Sequence, residues 1–92
     1  MALRAAESRQ TYLVEHYRPG EDLGRLAAQV RTAVGELERE GKPLRYLRST
    51  IDPGDESFLC VLEAASEQLI QEAYARAGIA FERMSAAIVE EV

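Results

Sequence analysis

At 92 residues, 47% of them hydrophobic and 29% charged, the chain has the composition of one small globular domain, near the size at which a single core folds with little margin and self-association adds stability. A net charge of −5 opposes phosphate backbones, so no nucleic-acid partner is expected, whereas cations are attracted. One cysteine cannot form an internal disulfide, and neither a membrane span nor a signal peptide is legible, so a cytoplasmic setting with no membrane partner is expected.

The opening residues 1–9 carry bases without an apolar run and read as a flexible leader, leaving 10–92 as one domain. Gln10 to Tyr17 is rich in aromatic and β-branched side chains and stops at Pro19-Gly20, which predicts a first strand running into a turn. From Glu21 onward, Leu23, Leu26, Ala27, Val30, Val34 and Leu37 recur at spacings of three and four, with acids at the start and Gly41 after the end; this is a long amphipathic helix. Residues 44–51, LRYLRSTI, have strand composition, DPGD at 52–55 is a turn, and SFLCVLEA at 57–64 is the returning arm of a hairpin. Ser66 followed by Glu67 opens a second helix, with Leu69, Ile70, Ala73, Tyr74 and Ala77 on its apolar side, and Gly78 ends it. The tail from Glu82, ERMSAAIVEEV, supplies a fourth strand, although its Ala and Glu content also suits a helix.

The order β-α-β-β-α-β predicts an α+β, ferredoxin-like fold in which a four-stranded antiparallel sheet carries both helices on one face. In that topology the first and third strands are central neighbours. Alternation puts Tyr12, Val14, Phe58, Cys60 and Leu62 on one side, and Leu13, Glu15, Leu59, Val61 and Glu63 on the other. The uninterrupted set is expected beneath the helices and the set bearing two carboxylates on the open face. Leu13, Leu59 and Val61 would leave an apolar stripe on that face, which predicts that a second copy covers it in a homodimer. Glu15 and Glu63 need a base to offset their repulsion, and Arg45 or Arg48 of the second strand can supply it.

His16, the only histidine, ends the first strand with its parity toward the helices. It reads either as an orienting residue or as a metal ligand or acid–base group, and without a second imidazole any metal site must borrow carboxylates such as Glu15. Cys60 lies mid-strand with nothing adjacent to lower its pKa, so it reads as a small core residue. A second arrangement is a cavity holding a small, largely apolar organic molecule, walled by Tyr12, Tyr46, Arg48 and Cys60. There His16 and Arg48 are the candidate catalytic residues, His16 moving a proton and Arg48 stabilising an enolate or phenolate, as in isomerisation, cyclisation or cofactor-free oxidation.

Other uses of the topology lack their residues. The third strand has no basic Gly–aromatic run for RNA, the loop Arg18-Pro19-Gly20-Glu21 has no Cys-x-x-Cys, and no Gly-rich phosphate loop or serine-triad pattern occurs. YLVEHYRPG, RYLRSTIDPGDESFLCVLEA with a serine two residues beyond, and the helix exit ARAG together resemble a family of small bacterial ferredoxin-like domains of unknown function that includes a nickel-binding protein. The likeness runs from about Tyr12 to Met84. It implies a dimer that binds a divalent transition metal, Ni²⁺ first, with His16 and Glu15 as the candidate ligands here. The chain departs from the family at Ile79, where relatives often carry histidine, and at His16, where arginine is common. A broader similarity, to dimeric α/β-barrel proteins, implies pairing of open sheet faces and suits the organic-ligand reading.

Overall fold

Six elements follow one another in the predicted order in a computed structural model that describes residues 8–90. Strand β1 (Gln10–Tyr17) leads through the Pro19-Gly20 turn into helix α1 (Leu23–Arg39). The acids expected in the first turn of α1 lie just ahead of it instead, and Asp22 is the cap: its carboxylate accepts the Arg25 N–H at 3.1 Å, pairing a donor that has no partner within the helix. Strand β2 (Leu44–Asp52) and strand β3 (Ser57–Ala64) form the hairpin, and the Asp52 carboxylate accepts the Asp55 N–H at 3.2 Å in its turn. Helix α2 (Glu67–Ala77) ends at Gly78, whose φ of 72° lets the chain leave in the left-handed conformation that closes helices. Strand β4 (Arg83–Ala87) completes the fold.

The tail therefore resolves as a strand. Its helix-favouring composition yields to the free edge of β1, along which Arg83 to Ala87 pair antiparallel and alternate residues gain ladder hydrogen bonds. The sheet order is β2-β3-β1-β4, all antiparallel, with the two helices on one face: a ferredoxin-like α+β fold. The predicted leader falls for residues 1–7 outside the described part of the chain. Among the described residues no helix is long and apolar enough to cross a membrane.

The core lies between the sheet and the helices. Val14, Cys60 and Leu62 from the central strands meet Val30, Val34 and Leu37 of α1, all without solvent exposure. The predicted sides are thus the observed ones, with one change of degree. Val61, on the open face, is only 4% exposed, and Leu13 and Leu59 are half-buried, so the apolar stripe there is narrower than the alternation implied. The most exposed large apolar side chains among the described residues are Ile88 and Val89, just after β4.

A one-residue bulge in β2 determines where its side chains go. Tyr46 registers with Leu62, but the next pair is Arg48 with Val61, so Leu47 is the extra residue and the alternation resets across it. Tyr46 consequently shares the helix side with Leu62, and Arg48 shares the open side with Val61. A plain strand would have put residues 46 and 48 on the same face.

Candidate functional site

His16 is buried, at 2% exposure, between the end of β1 and helix α2. Its Nδ1 lies 3.0 Å from the Phe58 carbonyl oxygen, which only accepts, so Nδ1 carries the proton. In the neutral ring Nε2 is then an acceptor, and the Tyr74 hydroxyl, 2.8 Å away, donates to it. The imidazole also stacks on the Phe58 ring, with centroids 3.9 Å apart and planes within 3°, while Tyr74 meets Phe81 edge-on at 5.1 Å.

The Cys60 thiol hydrogen-bonds with the Tyr46 hydroxyl at 3.2 Å. The Tyr74 proton is thus committed to His16 Nε2, while the Tyr46–Cys60 pair shares one proton in which either atom can donate. Burial pushes the thiol and both phenols up and the imidazole down, so every member is held neutral. The Phe58 hydrogen bond and the Glu82 carboxylate partly offset that effect on His16, and the Arg18 guanidinium adds to it. These two sets of bonds tie β1 and α2, and β2, to β3 within one core, and present neither a nucleophile nor a free base.

The residues expected to act together are parted. Glu15 precedes His16 in β1 and therefore lies on the opposite side of the sheet, where it pairs at 3.7 Å with Arg83 of β4. His16 borders the same hollow as Glu15, but both its ring nitrogens are taken by Phe58 and Tyr74. Of the four residues proposed to wall an organic-ligand cavity, Tyr12 and Cys60 belong to the core cluster and the partly buried Tyr46 packs against it, whereas the β2 bulge carries Arg48 to the open face. Arg48 and His16, the candidate catalytic pair, are thus separated by the sheet itself. The base expected opposite the open-face acids is present for Glu63, which registers with Arg45, while Glu15 takes Arg83, a residue the sequence reading passed over.

Sequence reasoning also missed the partners that immobilise His16. Tyr74 was legible only as an apolar position of the second helix, and its distance of 58 residues from His16 leaves no local signal. Phe58 was placeable, because antiparallel pairing of the first and third strands sets it opposite His16.

On the open face the acidic residues collect at one end. Glu15, Asp52, Asp55 and Glu82 border a hollow of about 550 Å³ whose apolar part comes from Leu13, Phe58 and Leu59. Glu82 is held there by its own backbone, donating to the Glu15 carbonyl at 2.9 Å, and its carboxylate accepts the Tyr17 N–H at 2.9 Å. The opposite end has Arg45, Arg48 and Glu63 around a second hollow that reaches Ile88 and Val89.

A nickel ion held by protein nitrogen or sulfur does not fit these residues. Both nitrogens of the single histidine are engaged in the core, the single thiol is buried and protonated, and among the described residues no three His, Cys, Asp or Glu side chains are grouped to hold a metal ion. The acidic hollow brings four carboxylates, Glu15, Asp52, Asp55 and Glu82, to one solvent-facing place, the kind of surface that a hydrated cation meets through its waters.

A family model described as "Nickel responsive protein SCO4226-like" matches residues 12–86. Among solved structures the chain is similar to SCO4226 from Streptomyces coelicolor A3(2), with 19% identity and a TM-score of 0.69 over 88% of this chain and 99% of that one, a likeness of fold. No curated protein matches the chain.

Proposed function

The chain belongs to the SCO4226-like nickel-responsive protein family, and from that premise we propose that it is a homodimeric binding protein for a divalent transition metal, Ni²⁺ first, which it holds weakly and hydrated in the acidic hollow of its open sheet face. The observation that carries this reading is the set Glu15, Asp52, Asp55 and Glu82 around one hollow, on a chain whose histidine and cysteine are both unavailable. Carboxylates that keep the metal's waters in place give low affinity and little selectivity, so the ion is exchanged readily. The dimer rests on the half-buried Leu13 and Leu59, apolar surface that a second sheet would remove from water.

Titration calorimetry with NiCl₂ and MgCl₂ tests the metal. Wild type is expected to bind Ni²⁺ weakly, the Glu15→Gln/Glu82→Gln variant to lose most of that binding, and a folded His16→Gln variant to keep it. Loss of binding in the histidine variant, or its persistence in the carboxamide variant, moves the metal to another seat. No heat with either salt removes the metal reading altogether.

A further inference from the structure

Glu56 is the one residue other than glycine with a positive φ, 54°, among the described residues. It closes the loop Pro53-Gly54-Asp55-Glu56 between β2 and β3, in which the Asp55 N–H donates to the Asp52 carbonyl and the Glu56 N–H to the Pro53 carbonyl, each at 3.2 Å. A side chain at that φ is strained, and glycine or asparagine is what such a position ordinarily takes. A glutamate there calls for a reason, and its acceptors supply one. Oε2 accepts the Gly20 N–H at 3.2 Å and the backbone carbonyl accepts the Arg18 N–H at 2.8 Å, so Glu56 grips the turn between β1 and α1 twice. Pro19 has no N–H, and the Tyr17 N–H goes to Glu82. Every backbone donor from Tyr17 to Gly20 is therefore held by Glu56, from the β3 side of the sheet, or by Glu82, from the β4 side. Glu56 itself borders a different hollow, with Arg18, Gly20 and Ile51, while its neighbours Asp55 and Ser57 border the acidic one.

We propose that Glu56 is a positioning residue for the acidic hollow: by tying the β2–β3 turn to the β1–α1 turn, it holds Asp52 and Asp55 in place against Glu15 and Glu82. The consequence for a cation rests on the metal reading above; the tie itself does not. Carboxylates gathered in one place repel one another, and a turn able to swing would carry Asp55 outward to relieve that repulsion. The two hydrogen bonds of Glu56 oppose the swing.

Two substitutions at this exposed position separate the tie from the charge. Glu56→Gly accepts the left-handed backbone without strain and removes the side chain, whereas Glu56→Gln keeps an acceptor oxygen and removes the charge. In metal-free buffer, hydrogen exchange at the Gly20 amide is expected to be about tenfold faster than wild type in the glycine variant and within about twofold of it in the glutamine variant. The Asp55 backbone order parameter should fall in the glycine variant alone. The urea midpoint of that variant is expected to be no lower than that of wild type, since relief of strain offsets the lost bond. With NiCl₂, its Kd should rise about tenfold while the glutamine variant binds as wild type does. Equal exchange at Gly20 in all three proteins overturns the tie. Nickel affinity unchanged in the glycine variant, or weakened equally in both, overturns the positioning role, the second result making Glu56 a distant charge. A midpoint that falls in step with the affinity makes it a stability residue instead. A wild type that takes up no nickel removes the metal reading alone, and exchange at Gly20 with order at Asp55 still decides whether Glu56 holds the turn.

Discussion

The imidazole of His16 and the hydroxyl of Tyr74, 58 residues apart, share a 2.8 Å hydrogen bond inside the core, and that bond converts the chain's one histidine from a candidate ligand into a cross-link between sheet and helix. With Phe58 holding the other nitrogen, the ring has no capacity left. Its contribution is to stability and to the angle of α2 on the sheet.

Tyr74→Phe tests that cross-link. It leaves Nε2 a buried acceptor without a donor, which is expected to destabilise the fold by about 1–3 kcal/mol in urea unfolding. The same substitution in a His16→Leu background should cost less, since no acceptor remains to be orphaned. Equal costs in the two backgrounds would show that the two side chains are not coupled.

Acidification should weaken the fold. The folded-state pKa of His16 lies below its ordinary 6.5 because the ring is buried, so the unfolded chain takes up the proton first. The stability is fully present above 6.5 and is lost as pH falls through that value toward the lower folded one. Urea midpoints measured between pH 8 and pH 5 are expected to drop across this window in wild type, and the His16→Leu variant should lack that component of the slope.

Cys60 should be inert in the native protein. It is fully buried, and burial raises its pKa, so thiolate is scarce and out of reach. Ellman's reagent is expected to label it at once in denaturant and only at the rate of global opening under native conditions. Fast native labelling would mean that the core between β3 and α2 opens locally.

Two glycines make a pair of opposite sign. Gly78 has φ 72° with open space where a Cβ would stand, so Gly78→Ala is expected to cost about 1–2 kcal/mol through backbone strain alone. Gly35 lies inside α1, where an added Cβ meets the Arg39 side chain at an ordinary 3.6 Å. Gly35→Ala should therefore stabilise by about 0.5–1 kcal/mol, read as a higher melting temperature.

Much of this protein was determined by its sequence alone. Spacings of three and four built α1 and α2, alternation separated the Tyr12–Val14 side from the Leu13–Glu15 side, and Pro19-Gly20, DPGD and Gly78 placed the turns, because these signals are local and report the period of the backbone directly. Tertiary structure decided the rest. The tail became β4 only because β1 had a free edge, and Arg48 left the His16 side only because Leu47 is an extra residue opposite β3, a misfit between two strands that neither records by itself. The fate of His16 depended on a tyrosine from an element 58 residues away, and whether an imidazole is free or spent is a property of what packs against it.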